Sequence, residues 1–195
     1  FLLCHSCGCR VYNQCQEHDH TIGCLYIGAD TVEVKEVFPK IHGYFGTKED
    51  PMDRVKKAYE NGLVPVIGRL KWDAEAMGVQ DRGHFMTVCF CCPCCCITGK
   101  RMYGSIELQK MMQRMEGIKV NVDEVLCVGC GECMNVCAFN GMDMEDGIAK
   151  VNQEKCLGCG RCERICPNNA ISISLDNSKR VEELIHRIDA SVDVS

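Results

Sequence analysis

Nineteen cysteines stand in this chain of 195 residues, and many fall at spacings that can bring several sulfurs to one point. Between Cys127 and Pro167 the sequence reads CVGCGECMNVC and then CLGCGRCERICP. Each half is Cys-x-x-Cys-x-x-Cys-x-x-x-Cys: Cys127, Cys130, Cys133 and Cys137, then Cys156, Cys159, Cys162 and Cys166. Two residues between successive cysteines let a tight loop turn three thiolates toward one compact body. A cubane iron–sulfur cluster needs four such soft donors.

The fourth donor has to come from outside each three-sulfur loop, and the other half supplies it. The spacing therefore predicts Cys127, Cys130, Cys133 and Cys166 around one [4Fe-4S] cluster, and Cys156, Cys159, Cys162 and Cys137 around a second. The glycines between ligands (Gly129, Gly131, Gly158 and Gly160) let backbone N–H groups approach the cluster. Zinc ribbons use separated Cys-x-x-Cys pairs and do not match two sets of four.

Residues 118–175 resemble the bacterial two-[4Fe-4S] ferredoxin family, through all eight cysteines and Pro167. Ala138 stands where the first half would carry the matching proline. The resemblance implies a ferredoxin-like fold and one-electron transfer at low potential. Upstream, HTIGCLYIGA, ENGLVPVIGR and TVCFCCPCCC are similar to the segment preceding the ferredoxin unit in uncharacterised 4Fe-4S binding-domain proteins of anaerobes. That likeness implies a module without a known reaction. A likeness to heterodisulfide reductases is partial. Those pair Cys-Cys with a following Gly and a later Cys-x-x-Cys, whereas here Pro93 follows Cys91-Cys92, and the next Cys-x-x-Cys belongs to the ferredoxin run.

Eleven cysteines remain, five in residues 4–24 and six in residues 89–96. Six within eight residues exceed what ordinary core packing needs. If that stretch is extended, neighbouring sulfurs face opposite ways. The reading is a further iron–sulfur cluster shared by the loop of Cys4, Cys7 and Cys9 and the loop of Cys89, Cys91, Cys92, Cys94, Cys95 and Cys96. Cys24 is an added candidate ligand. Structural zinc, disulfides and free thiols are the alternatives. His18 reads as an exposed loop residue, and His20 reads equally well as ligand or as loop.

The elements that must position these residues are α+β: a ferredoxin-like two-cluster domain after a small cysteine-rich α/β module. The expected divisions are 1–100 for the module, 101–117 for a connecting helix, 118–175 for the ferredoxin domain and 176–195 for an amphipathic helix. In the ferredoxin part Val122–Met142 aligns with Val151–Ile171 without gaps, so each half should run strand, cluster loop, short helix, strand. IKVNV should pair with ISISL, and MDMED with GIAKV around Asp146-Gly147.

Upstream, residues 1–24 show no hydrophobic period and read as loop, with Gly8 and Gly23 wrapping closely around a ligand. LYIGA and TVEVKEVF read as strands. Residues 50–61 read as a helix capped by Asp50, with Met52, Val55 and Tyr59 on its buried face and Gly62 after it. LVPVIG reads as an edge strand because of Pro65, and residues 72–82 as a helical turn. HFMTV should feed a cysteine loop bent at Pro93. Ser105–Glu116 reads as a helix with Leu108, Met111, Met112 and Met115 in its core stripe. Val181, Leu184, Ile185 and Ile188 would pack the last helix on the ferredoxin sheet, docking to a partner being the other reading.

The net charge of −5 argues against nucleic-acid binding and suits docking to a basic redox partner protein or a larger oxidoreductase complex. The longest stretch without Asp, Glu, Lys or Arg, Gly83–Gly99, is too short for a transmembrane segment. Thiolate ligands and the lack of a recognisable signal segment point to a reducing cytoplasm, in keeping with anaerobic life. Phe1 in place of Met suggests a trimmed start. No phosphate loop, dinucleotide motif or nucleophile–base pair is visible, so the readings are an electron-transfer protein or complex subunit, a reductase acting at the upstream cluster, or a zinc-stabilised scaffold bearing a ferredoxin.

Overall fold

The computed structural model describes residues 2–34, 43–68, 74–75, 77–97 and 112–194. The chain divides into two compact units, Phe1–Ile97 with Glu183–Ser195, and Thr98–Glu182.

The first unit is built on a five-stranded antiparallel sheet of β1 (Leu2–His5), β2 (Leu25–Ile27), β3 (Gly43–Phe45), β4 (Val64–Gly68) and β5 (Met86–Cys91). The strand order is β3-β1-β2-β5-β4. β4 lies at an edge, as Pro65 requires. Leu3, Tyr26, Val79 and Phe85 form part of the core, and the Tyr26 and Phe85 rings stack 5.8 Å apart.

Residues 1–24 are not the loop that their composition suggests. β1 is followed by helix α1 (Gly8–Tyr12), whose Arg10 is almost wholly buried. Gly23 packs closely against backbone: a Cβ there would lie 1.9 Å from the His5 carbonyl oxygen. The stretch expected as a second strand begins instead with a 3-10 turn over Ala29–Glu33, because Asp30 turns its carboxylate onto the backbone N–H of Arg82 at 2.8 Å and of His84 at 3.3 Å. The remainder, 35–38, lies outside the described residues.

Helix α2 spans Asp50–Glu60, and the chain leaves it through Gly62. Its buried side differs from the expected one. Ala58 is buried, while Met52, Val55 and Tyr59 are exposed. Arg54 lies four residues before Ala58 on the same face. It donates to the carbonyl oxygens of His5, Thr21 and Gly23 at 2.9, 3.0 and 3.2 Å, which turns that face inward. Asp50 does not cap the helix by its side chain; its carboxylate accepts from the Thr47 hydroxyl at 3.0 Å.

The second unit follows the repeat. β6 (Ile118–Val122) pairs with β9 (Ile171–Leu175), and β7 (Met142–Glu145) with β8 (Ile148–Val151), all antiparallel. Asp146 and Gly147 take φ of 49° and 76°, the left-handed turn that closes a two-residue hairpin. Short helices α3 (Glu132–Asn135) and α4 (Arg161–Ile165) follow the cysteine loops. The core contains Val120, Cys133, Met142, Ala149, Cys162 and Ile171. These are three pairs related by the offset that carries Cys127 onto Cys156, so the sequence repeat is also a packing repeat.

Of the expected Met-rich helix, residues 112–115 are irregular; the earlier part lies outside the described residues. Helix α5 (Lys179–Asp189) forms; none of its residues is fully buried, and Val181, Leu184 and Ile188 are half-buried. Val192, just after it, is the buried residue there.

Candidate iron–sulfur and metal sites

In the second unit the cysteine loops line two small cavities. Cys127, Cys130, Cys133 and Cys166 line one. Cys137, Cys156, Cys159 and Cys162 line the other. Each cavity therefore receives three sulfurs from its own loop and one from the opposite half.

The backbone is arranged around these sulfurs. The N–H groups of Gly141 and Ala170 point at Cys137 Sγ and Cys166 Sγ at 3.1 and 3.3 Å, equivalent contacts in the two halves. The Ala149 N–H points at Cys127 Sγ at 3.4 Å. Such donors stabilise thiolate charge and tune a cluster's potential. Gly129 sits at φ +67°, and a Cβ there would lie 2.3 Å from the Gly147 carbonyl oxygen, so only glycine fits.

Burial pushes the Cys162 thiol up to about 12, and it raises those of Cys133 and Cys159 as well. Protonated thiols are poor ligands. Bound iron, a strong local positive charge, is the partner that turns such sulfurs into thiolates. The donor set and its N–H contacts fit an iron–sulfur cluster in each cavity.

In the first unit ten of the eleven upstream sulfurs fall into two sets. Cys89 and Cys91 lie on one side of β5, and Phe90, between them, is buried. Cys24 precedes Leu25, whose partner is Val88, and its Sγ lies 3.4 Å from Cys89 Sγ. The Cys9 thiol bonds Cys7 and Cys96, and Cys91 bonds Cys89 and Cys96. Cys7, Cys9, Cys24, Cys89, Cys91 and Cys96 thus form one connected group. The Cys7–Cys9 contact lowers the Cys9 thiol and raises that of Cys7, with burial adding to the rise.

Cys92 is set off from this group. It lies with Cys15, Cys94 and Cys95, all four sulfurs within 4.8 Å of one another. Cys15 escaped the candidate set because its partners are far away in sequence and it has no Cys-x-x-Cys neighbour. The only sequence signal for it was its membership in the cysteine-rich opening segment.

Cys4 leaves the expected arrangement. It lies on β1, and the groups acting on its thiol are Arg54, Tyr44 and Asp50, with burial, the largest influence, raising it. His18 is half-buried, contrary to its reading as an exposed residue. Its Nδ1 lies 3.0 Å from the Asn61 carbonyl oxygen, and it sits within reach of Cys94 and Glu17. His20 is exposed, and its carbonyl oxygen accepts from the Cys7 N–H at 2.7 Å.

Two 4Fe-4S binding domain models match the chain, over residues 119–142 and 149–172. The matched segments are the two halves of the repeat. They show a ferredoxin-like 4Fe-4S binding domain in this part of the chain and indicate an iron–sulfur electron-transfer protein. No curated protein matches the chain.

Proposed function

We propose that the chain carries electrons through two [4Fe-4S] clusters and delivers them to or from a redox partner, with a further iron–sulfur cluster in the cysteine-rich unit. Cys127, Cys130, Cys133 and Cys166 hold one cluster, and Cys156, Cys159, Cys162 and Cys137 the other. The observation that carries this reading is the crossed lining of the two cavities, three sulfurs from one half and one from the other. Clusters bound there supply one-electron oxidation and reduction at thiolate-ligated iron.

The chain's own residues do the rest. The N–H groups of Gly141, Ala149 and Ala170 hold charge on three ligand sulfurs. Val120, Met142 and Ile171 keep water from the inner side of the sites. Cys130 is exposed, and Val125 and Val128 beside it are 92% and 69% exposed. That apolar rim is where a partner redox protein meets the first cluster, and the chain's net charge of −5 favours a basic partner. No helix among the described residues is long and apolar enough to cross a membrane.

The further cluster draws its ligands from Cys7, Cys9, Cys24, Cys89, Cys91 and Cys96. Their thiols form one connected chain, Cys7–Cys9–Cys96–Cys91–Cys89–Cys24, which supplies more sulfurs than the four a cluster needs.

Anaerobic iron and sulfide analysis with low-temperature EPR of the reduced protein tests the reading. Two cubanes account for roughly eight irons per chain, and the further cluster adds to that number. A content near four would overturn the two-cluster assignment. Iron that stops near eight would remove the further cluster.

A further inference from the structure

The first unit contains a sulfur quartet that its connected group of six does not use. The Sγ atoms of Cys15, Cys92, Cys94 and Cys95 all lie within 4.8 Å of one another, and those of Cys15 and Cys94 are 3.7 Å apart. Four thiolates placed tetrahedrally around one ion at a zinc–sulfur distance of about 2.3 Å stand about 3.8 Å from each other. A cubane interposes four irons between its ligands and spreads them wider. The spacing of the quartet is that of a single ion.

Arg10 is a second and independent observation. It is 1% exposed. Its guanidinium donates to the Phe90 carbonyl oxygen at 2.9 Å and to the Ile22 carbonyl oxygen, and it bonds the Cys92 sulfur. Its Nε is buried without a partner. A buried cation is costly unless an anion faces it. Neutral thiols provide none, whereas four thiolates around a divalent ion carry a net charge of about −2. The guanidinium, hydrogen-bonded to Cys92 and also acted on by Cys7 and Cys24, fits a thiolate–metal centre at Cys92 and not neutral thiols alone.

We propose that Cys15, Cys92, Cys94 and Cys95 bind one divalent thiophilic ion, Zn²⁺ or a single Fe²⁺, in a closed tetrahedral site distinct from every iron–sulfur cluster of the chain. With all four positions filled by protein, the site is structural. It ties the turn at Pro93 to the segment after α1, across a separation of 79 residues between Cys15 and Cys94. Glu17 and His18 also approach Cys94, but soft thiolates outcompete a carboxylate for such an ion, and His18 Nδ1 is turned to Asn61. The site does not rest on the electron-transfer reading, which concerns other sulfurs.

The test uses the full chain, produced anaerobically with iron and zinc supplied, and reads zinc, iron and sulfide together. The expected content is about one zinc per chain, or one iron without matching sulfide, with four sulfurs at about 2.3 Å by X-ray absorption. Cys15→Ser and Cys94→Ser should each cut this ion at least tenfold, leaving cluster iron and sulfide unchanged. Cys4→Ser should leave all three unchanged. Should either variant fail to fold, Co²⁺ exchange into the unaltered chain is decisive, because tetrahedral tetrathiolate cobalt has an intense sulfur-to-cobalt charge-transfer band. Absence of that band, absence of the ion, or Cys15→Ser removing iron and sulfide together in cluster proportion would overturn the proposal. Iron near four in a protein that keeps its zinc would instead defeat the two-cluster reading and leave this site standing.

Discussion

Cys24 and Cys89 face each other with their sulfurs 3.4 Å apart, one residue beyond the Leu25↔Val88 pair of β2 and β5. Sheet register sets this approach, and the same register carries Cys91 to the same side as Cys89. Cys92, the next residue, is left to the quartet with Cys15. The end of β5 at Cys91 thus falls between the two sets.

If the connected six hold a cluster, Cys24→Ala and Cys89→Ala should each lower iron above the roughly eight of the two ferredoxin clusters. The EPR signal of the ferredoxin clusters should persist. Unchanged iron in both variants would place the further cluster elsewhere.

Crossed ligation makes a sharper forecast for the second unit. Cys166→Ala should disable the cluster of Cys127, Cys130 and Cys133, although the change lies in the other half of the sequence. Cys137→Ala should disable the cluster of Cys156, Cys159 and Cys162. Both should hasten unfolding, because each cluster ties the halves together. Mössbauer or EPR spectra of singly ⁵⁷Fe-reconstituted variants distinguish the two losses. Loss of the cluster in the mutated half would refute the crossing.

Gly129→Ala tests the backbone around the first site. The new Cβ meets the Gly147 carbonyl oxygen at 2.3 Å, at a φ of +67°. The positive φ alone costs about 1 kcal/mol or more, and the clash adds to it. The expected result is a lower denaturant midpoint and faster cluster loss. Gly131→Ala is the comparison: it shares the positive φ but has open space around its Cβ, and it should cost less.

The second unit was legible because its information is local. Ligand spacing, strand alternation and the Asp146-Gly147 turn all lie within short stretches, and the repeat states them twice. The first unit hid its order in pairings distant in sequence. β1 pairs with β2 and β3, and no run of residues 1–24 announces that. Nothing in the sequence around Arg10 announces its burial, because its acceptor, the Phe90 carbonyl oxygen, lies far along the chain. Cys4 looked like a partner of Cys7 and Cys9, and only the strand it occupies sends it toward Arg54. Met52, Val55 and Tyr59 have helical spacing, but Arg54 and its three carbonyl partners decide which side of α2 turns in.

Acid sensitivity is expected at Asp30. Burial raises its carboxyl, but the Arg82 N–H, the Arg82 guanidinium and the His84 N–H outweigh it and hold it below the usual carboxylate range. A carboxyl depressed in the folded state stabilises fully above its unfolded value of about 3.9, and that contribution is lost as pH falls through the folded value. Asp30→Asn should therefore lower the thermal midpoint at pH 7, by the equivalent of about 1–3 kcal/mol. The gap from the unaltered protein should narrow only below about pH 4. A gap that closes already between pH 7 and 5 would show that Asp30 is not the group responsible.

Arg54 offers the strongest test of how the first unit is held together. Its Nη1 serves the carbonyl oxygens of His5, Thr21 and Gly23, tying α2 to β1 and to the segment before β2. Arg54→Met keeps much of the side-chain volume but leaves these three acceptors without their shared donor. Hydrogen bonds from a charged donor are each worth about 1.5–3 kcal/mol, and partial hydration of the freed carbonyls offsets part of the loss, so a destabilisation of about 2–4 kcal/mol is expected. Arg54→Lys places a charge nearby but lacks the planar fork, so it should recover only part. Hydrogen exchange followed by mass spectrometry localises the effect: amides of β1 and β3 should lose protection while the β6–β9 ladder keeps its own. Equal loosening in both ladders would mean that Arg54 acts on the whole chain and not through these three carbonyls.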